Sequence, residues 1–433
     1  MVQRRGGRSC SQIWSSRSFA GLPAKITVAI DFQAVQSRMP GASRRAVCAL
    51  RLFLRLSACM IGVHAGVDHH LGELLLGRAC QPAISEPTPL QAGRAVSRHA
   101  RGRQIHVVAV AAMAKLVLGA FARLNADSQL KVADFAFEDP SSLSKVPCPS
   151  IFGEPSKQLT VVIPAYNEEQ RLPATLQETL SYLQRRRDRQ GASFTYEVII
   201  VDDGSRDGTA RAASEFVRKH GFDAVRVLRL PQNRGKGYAV KSGMLCSRGQ
   251  RLLMMDADGA TKVSDLERLE AKLAEISMTA LRANKAGAAA VGSGAPLGFV
   301  LGSRAHMQDA ATAKRSALRN FLMHGFHVLV MMVVGNQIRD TQCGFKLFSR
   351  AAAQQLYSNQ RLQRWCFDVE LVYLAQQLKI PMAEVQVNWT EIPGSKIRVT
   401  SMAHMALELV MIKAGYGGGL WTVRGPQEVG KLH

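Results

Sequence analysis

The sequence predicts an open α/β fold with a mostly parallel central sheet in the part of the chain after Leu159. Two observations support this prediction. Short runs of apolar and β-branched residues alternate with helical stretches, which is the order that builds a parallel sheet. A polar cluster also follows each of the first four runs. Ligands of open parallel sheets bind beyond the carboxyl ends of the strands, so we expect these clusters to share one crevice.

The first two strands are predicted from LTVVI at 159–163 and EVIIV at 197–201. The loop AYNEE follows the first strand and leads into a helix over 172–187. The second strand ends at Asp202, where DDGSRDGT supplies turn formers and helix caps before a helix over 210–220.

The third and fourth strands follow the same plan. VRVLRL at 225–230 precedes PQNRGKG and a helix over 238–246. RLLMM at 251–255 then ends directly at two carboxylates, Asp256 and Asp258. Carboxylates this close raise each other's pKa unless a cation compensates them. Mg²⁺ takes one or two carboxylates together with substrate phosphates, whereas the alternative reading is that DAD only caps a strand.

Composition restricts the partners of the chain. Lys and Arg total 56 against 33 Asp and Glu in 433 residues, and this net charge of +23 favours an anionic partner. The part of the chain after Leu159 lacks a basic face interleaved with aromatic residues, so nucleic acid is not expected as a partner. The eight cysteines show no pair at zinc-ligand spacing, which argues against a structural zinc site.

The predicted organisation has five parts. Residues 1–104, with fourteen Arg and one Lys against two Asp and two Glu, are an extension that is disordered, wrongly joined or a targeting segment. Residues 105–122 are either a membrane anchor or an amphipathic or buried helix, because Lys115 interrupts the apolar run. A linker is predicted over 123–157 and the α/β domain over 158–398. The C-terminal part, 399–433, is predicted as an amphipathic helix and a tail.

Six motifs together resemble one enzyme family. They are VVIPAYNEE, EVIIVDDGSRDGT, NRGKG, LLMMDADGAT, LGSRAH and IRDTQCGFKLF. The chain from about residue 151 to 421 resembles the family 2 glycosyltransferases, which have the GT-A fold, a Rossmann-like nucleotide-diphospho-sugar transferase fold. RWCFDVELVY and VNWTEIPGSK are most similar to members that transfer glucose to dolichyl phosphate.

The resemblance implies a UDP site at the strand ends. Asp202 and Asp203 would hold the uracil and ribose, and Arg234 and Lys236 of NRGKG would offer cations to phosphate. Four further residues would line the same pocket: Pro164, Tyr166, Asn167 and Glu168. Without the neighbouring motifs, these residues would be read as a turn with a solvated acidic pair.

The resemblance also implies a metal and an acceptor site. Asp256 and Asp258 would bind Mg²⁺ or Mn²⁺ at the UDP diphosphate, with a catalytic role for Asp258. Arg304, with Arg315 or Arg319, would clamp the lipid phosphate by forked hydrogen bonds.

Asp340 would lie where this fold usually places a base. A lipid phosphate has a second pKa near ~6, so it needs positioning more than deprotonation. We therefore expect Asp340 to orient the acceptor or shape the site, with Gln342 as a polar partner and proton abstraction as the lesser role.

The resemblance implies an inverting transfer of glucose from UDP-glucose to dolichyl phosphate for N-glycan assembly, at the cytosolic face of the endoplasmic reticulum membrane. Residues 321–335 would lie in the membrane interface or form a buried helix, and the same alternatives hold for Met402–Ile412. Another polyprenyl-phosphate hexosyltransferase, such as a mannosyltransferase, is an alternative. So is a non-catalytic module that binds nucleotide sugars. The sequence leaves the oligomeric state open.

Overall fold

A nine-stranded sheet forms the centre of the computed structural model, which describes Gly119 and residues 130–286, 296–307, 317–392 and 399–430. The strands in chain order are β1 (Ala136–Asp139), β2 (Ser144–Pro147), β3 (Lys157–Ala165), β4 (Tyr196–Asp202), β5 (Val225–Arg229), β6 (Gly249–Met255), β7 (Phe299–Ser303), β8 (Phe345–Ser349) and β9 (Met382–Gln386). Their order across the sheet is β2-β1-β5-β4-β3-β6-β8-β7-β9.

The four central strands are parallel, as the sequence predicts. β5 pairs with β4, β4 with β3 and β3 with β6, all in parallel register. The outer pairs β1–β2, β1–β5, β6–β8 and β7–β8 are antiparallel, and β7 is parallel to β9. The α/β fold with a parallel core is therefore confirmed, within a sheet that becomes mixed toward its edges.

Helices cover both faces of the sheet. They are α1 (Leu172–Gln190), α2 (Thr209–His220), α3 (Lys236–Leu245), α4 (Leu266–Ala286), α5 (Ala317–Val334), α6 (Arg350–Asn359), α7 (Phe367–Gln377), α8 (Val399–Gly417) and α9 (Pro426–Gly430). Residues of α1, α2 and α4 join one apolar cluster, and residues of α3, α6 and α7 join the other. All seven residues of β4 are buried, which is expected of a parallel strand covered on both faces.

The range predicted as a linker, 123–157, contains β1 and β2, which form an antiparallel hairpin at the edge of the sheet. Their sequences, AFED and SKVP, are short and charged, and Phe137 is the only buried residue of the two strands. This pattern lacks the apolar alternation by which strands are recognised.

Several sequence-based predictions fall beyond the described residues. The extension over 1–104 lies outside them, and so does the segment 105–122 apart from Gly119. Among the residues that the structure does describe, no helix is both long enough and apolar enough to span a bilayer.

Candidate active site

The carboxyl ends of the four central strands meet at one edge of the sheet. Ala165 at the end of β3 pairs with Asp202 at the end of β4, which in turn pairs with Arg229 at the end of β5. Val162 of β3 pairs with Met254, one residue before the end of β6. The clusters AYNEE, DDGS, NRGKG and DAD therefore leave the sheet side by side, as we expected from the order of elements.

Asn167 and Glu168 hold the AYNEE loop in place. Asn167 has a positive φ of 52°, its backbone N–H donates to Ser205 Oγ at 2.9 Å, and its Oδ1 accepts from the Arg206 N–H at 2.9 Å. The Glu168 carboxylate accepts two hydrogen bonds from Arg171, at 2.6 and 2.7 Å. These contacts shape the loop that presents Tyr166.

The two carboxylates of DDGS face different neighbours. Asp202 accepts the Ser205 N–H at 3.0 Å, and its Oδ2 lies 3.7 Å from Arg229 Nε. Asp203 accepts the backbone N–H groups of Arg234 and Gly235, each at 2.8 Å. Burial raises the pKa of Asp203 above its usual value, although these two hydrogen bonds lower it in part. Asp203 thus braces the NRGKG loop, and Asp202 faces the cavity next to it.

The glycines of NRGKG allow another segment of the chain to pack closely against this loop. A Cβ on Gly235, whose φ is 106°, would come within 2.6 Å of Gln363 O. A Cβ on Gly237 would lie 2.8 Å from Phe367 Cβ. Both glycines thus make room for the segment before α7 and for its first residue. Arg234 stacks over the Tyr238 ring at 4.1 Å.

A cavity of about 920 Å³ opens beside these loops. Tyr166, Asp202 and Arg234 line it, and so do Glu138 and Lys145 of the β1–β2 hairpin. Its position at the ends of β4 and β5 is where an open parallel sheet binds nucleotides.

The DAD segment follows β6 and is fixed from both sides. The Ala257 carbonyl accepts the Thr175 hydroxyl of α1 at 2.9 Å, and Asp258 Oδ1 accepts the Ala260 N–H at 3.0 Å. Burial and the charge of Asp256 raise the pKa of Asp258 above its usual value. The strand end therefore holds negative charge that the protein compensates only in part.

Lys236, the first residue of α3, lies against Asp256. Its Nζ is 2.6 Å from Asp256 Oδ1. The two side chains form a close ion pair, and Oδ1 is buried. Burial lowers the pKa of Lys236, but Asp256 and Asp368 raise it by more, so the side chain is a cation at neutral pH.

Asp256 and Asp258 fit a hard divalent cation. Both offer oxygen donors, and Asp256 Oδ1 is a buried oxygen. No group of three or more His, Cys, Asp or Glu side chains in the described part of the chain is arranged to hold a metal. Further ligands would have to come from substrate phosphates and water, which is the usual arrangement for Mg²⁺.

Arg304 and Asp340 form a closed pair on the other side of the DAD loop. Asp340 Oδ2 accepts from Arg304 N at 2.9 Å and from Nε at 2.7 Å, and Oδ1 accepts from Nη2 at 2.9 Å. Asp340 is 4% exposed. Burial would raise its pKa, but the Arg304 guanidinium holds the pKa below its usual value. Glu384 of β9 accepts the Asp340 backbone N–H at 2.8 Å and fixes the pair from behind.

Trp389 links this pair to the DAD loop. The Arg304 guanidinium lies 5.4 Å from the centre of its indole ring. Trp389 also forms an isolated antiparallel β-bridge with Thr261, three residues after Asp258. Trp389 therefore connects the Arg304–Asp340 pair with the loop that carries Asp256 and Asp258.

Comparison with known proteins agrees with this geometry. The profile of "Glycosyl transferase family 2" matches residues 160–281. A human dolichyl-phosphate beta-glucosyltransferase is 48% identical over 276 residues, which cover 64% of this chain and 81% of the human protein. The Drosophila melanogaster enzyme of the same name is 46% identical and covers 67% and 85%. The Saccharomyces cerevisiae enzyme is 39% identical and covers 61% and 76%.

The chain belongs to the dolichyl-phosphate beta-glucosyltransferase family. Solved structures also align with it at lower similarity. Glucosyl-3-phosphoglycerate synthase from Mycobacterium tuberculosis in complex with UDP is 15% identical, with 61% of this chain and 81% of that chain covered and a TM-score of 0.38. Mannosyl-3-phosphoglycerate synthase from Rubrobacter xylanophilus is 16% identical, with 62% of this chain and 78% of that chain covered and a TM-score of 0.35.

The structure describes some of the site residues predicted from the resemblance to this family, whereas others lie outside the described residues. Pro164 lies near the end of β3, and Gln342 is half-buried two residues after Asp340. Arg315 lies outside the described residues, and the side chain of Arg319 is also outside them, although its backbone belongs to α5. The acceptor-side arginine that the structure describes is therefore Arg304.

A buried ion pair behind the site was not predicted. Lys346 of β8 is fully buried, and its Nζ lies 2.7 Å from Asp368 Oδ1 at the start of α7. The charge of Asp368 acts on Lys236 as well, so this member of the dolichyl-phosphate beta-glucosyltransferase family has a row of alternating charges ending at Asp256. The sequence contained a signal, since a lysine interrupts the apolar run FKLF.

Proposed function

We propose that this chain transfers glucose from UDP-glucose to dolichyl phosphate and inverts the anomeric carbon, giving dolichyl β-D-glucosyl phosphate. The observation that carries the proposal is the meeting of four polar strand ends beside Asp256 and Asp258. The relatives, which are dolichyl-phosphate beta-glucosyltransferases, support the acceptor and the sugar. The donor nucleotide and a role in N-glycan assembly are inferred from the resemblance of the motifs.

The donor half of the site would bind UDP along the strand ends. Tyr166 and Asp202 line the cavity that would hold uracil and ribose, and Asp203 accepts the backbone N–H of Arg234, which lines the same cavity. Lys236 lies beside the position expected for the diphosphate. Asp256 and Asp258 would hold Mg²⁺ or Mn²⁺, which when bound neutralises the charge of the departing diphosphate.

The acceptor half positions a nucleophile that is already charged. A phosphomonoester with a second pKa near ~6 is largely a dianion at neutral pH, so no protein base is needed. Asp340 suits a positioning role, because both of its oxygens accept hydrogen bonds from Arg304 and its pKa is lowered. Attack by a phosphate oxygen on the face opposite to an α-linked leaving group forms a β-linked product.

Exposed apolar side chains on α5 and α8 support a membrane-bound acceptor. Val328, Met331 and Met332 of α5 are 44%, 47% and 65% exposed, and Leu407 and Val410 of α8 are 43% and 42% exposed. The two helices pack against each other. We propose that this surface rests on the endoplasmic reticulum membrane with the catalytic domain in the cytosol.

The donor assay tests this proposal. Purified protein is incubated with dolichyl phosphate, a divalent cation and either labelled UDP-glucose or labelled GDP-mannose. We expect lipid-linked product from UDP-glucose alone. Product formed only from GDP-mannose would contradict the assignment of the donor, and the absence of product from both would contradict the enzymatic role.

A further inference from the structure

Lys236 covers Oδ1 of Asp256, and this oxygen is buried. The Asp256 side chain is 34% exposed and that of Lys236 is 20% exposed, and the ammonium lies 2.6 Å from Oδ1. The other oxygen, Oδ2, faces the backbone of Gly344, where an added Cβ would come within 1.9 Å of it. A cation that binds Asp256 through Oδ1 must therefore displace the ammonium of Lys236.

Hydrogen bonds hold the backbone around Lys236 in place, so a movement of the whole loop cannot carry the residue away from Asp256. The Gly237 N–H donates to Arg364 O at 3.1 Å, and the Tyr238 N–H donates to Gln363 O at 2.9 Å. Gly235 on the other side is packed against Gln363 O. Only the flexible side chain of Lys236 can move, and a lysine ammonium on a four-carbon stem can rotate between neighbouring anions.

We propose that Lys236 is an internal counter-ion for Asp256, which a divalent cation displaces efficiently only when a nucleoside diphosphate arrives with it. This inference rests on the proposed function and deepens it by specifying the order of binding. The diphosphate supplies a second anion for the lysine, so the ammonium can leave Asp256 without losing its partner. The metal and the nucleotide then bind as one unit, and each strengthens the binding of the other by the same factor.

Removing the lysine should separate the two events. In the Lys236→Met variant, Asp256 loses its ion-pair partner, and the nucleotide-free protein should bind Mn²⁺ more tightly. We expect an increase of about five- to tenfold, because a partly exposed ion pair contributes on the order of 1 kcal/mol. UDP should tighten Mn²⁺ binding less in this variant than in the wild-type protein.

Electron paramagnetic resonance of free Mn²⁺ provides the test, with titrations of the full-length protein in the presence and absence of UDP. Lys262→Met is the matched control, because Lys262 follows the same DAD loop but pairs with Glu178 at 3.3 Å. It removes an equal charge and should behave as the wild-type protein. Circular dichroism and thermal melting establish that both variants are folded.

Two results would overturn the inference. One is wild-type protein that binds Mn²⁺ as tightly without UDP as with it, a measurement that requires no variant. The other is a folded Lys236→Met protein that binds nucleotide-free Mn²⁺ no more tightly than Lys262→Met. If metal-dependent glucose transfer persists alongside either result, only the counter-ion role fails. If Mn²⁺ and UDP bind in no combination and no transfer occurs, the proposed function fails too.

Discussion

The carboxylates on the donor side and on the acceptor side of the site differ in how the protein compensates their charge. Asp256 and Asp258 share the nearby Lys236, and the pKa of Asp258 is raised by burial and by its neighbour. Asp340 receives three hydrogen bonds from Arg304, which holds its pKa down. The donor side keeps a negative charge for a ligand to neutralise. The acceptor side neutralises its charge within the protein.

This comparison predicts the largest effect for Asp258→Asn, which should lower turnover by about 10²- to 10³-fold. A metal contributes several kcal/mol to stabilising the transition state, and each 1.36 kcal/mol corresponds to tenfold in rate. The free energy of unfolding should stay equal or rise slightly, because the repulsion from Asp256 is relieved. Steady-state kinetics and denaturant unfolding measure the two quantities. Asp188→Asn, near the far end of α1, should change neither of them.

Asp340→Asn should affect stability instead. Charge-assisted hydrogen bonds contribute about 1.5 to 3 kcal/mol each, and Arg304 is partly exposed, so we expect the free energy of unfolding to fall by about 2 to 3 kcal/mol. Guanidinium unfolding followed by circular dichroism measures the change. Unfolding curves that coincide with those of the wild-type protein would remove the distinction between the two sides.

Gly344→Ala tests whether the position of Asp256 matters apart from its charge. The added Cβ would lie 1.9 Å from Asp256 Oδ2 and would force this carboxylate to move. We expect turnover to fall about tenfold, a barrier increase of about 1.4 kcal/mol, with a smaller loss of stability. Gly325→Ala in α5 is the control, because no heavy atom lies within 4 Å of its added Cβ. Equal kinetics for the two variants would contradict this role.

The smallest effect concerns how the metal-free protein responds to pH. Asp340 has a lowered pKa, so its stabilisation is present above the usual value near 3.8 and is lost as the pH falls through the lowered pKa. Asp258 has a raised pKa, so its contribution is full below 3.8 and is lost as the pH rises through the raised value. Thermal melting across pH should show Asp340→Asn destabilising at neutral pH and less so in acid. Asp258→Asn should stabilise at neutral pH, and its effect should vanish in acid.

The sequence predicted the donor side because its residues lie in contiguous motifs next to strand ends. Asp202 and Asp256 each follow an apolar run, and the parallel order brings the runs together. The acceptor pair was harder to predict. Arg304 and Asp340 are 36 residues apart, and their mutual hydrogen bonds depend on β7 and β8 being neighbours. Both were predicted as site residues, but the ion pair between them was not predicted.

The β1–β2 hairpin and the buried Lys346–Asp368 pair show a second limit of sequence patterns. The hairpin carries one buried residue, Phe137, so its place at the edge of the sheet depends on pairing with β5 rather than on its own periodicity. Lys346 is stabilised by a partner 22 positions away that only the packing of α7 against the sheet provides. Such contacts arise from tertiary structure and leave little trace in local sequence.

The most direct test of the central claim is glucose transfer from labelled UDP-glucose to dolichyl phosphate, measured with Mn²⁺, with a chelator, and with Mn²⁺ restored after chelation. The account predicts product in the first case, loss of product in the second and full recovery in the third. Undiminished transfer in the presence of the chelator would contradict the claim that Asp256 and Asp258 act by holding a divalent cation.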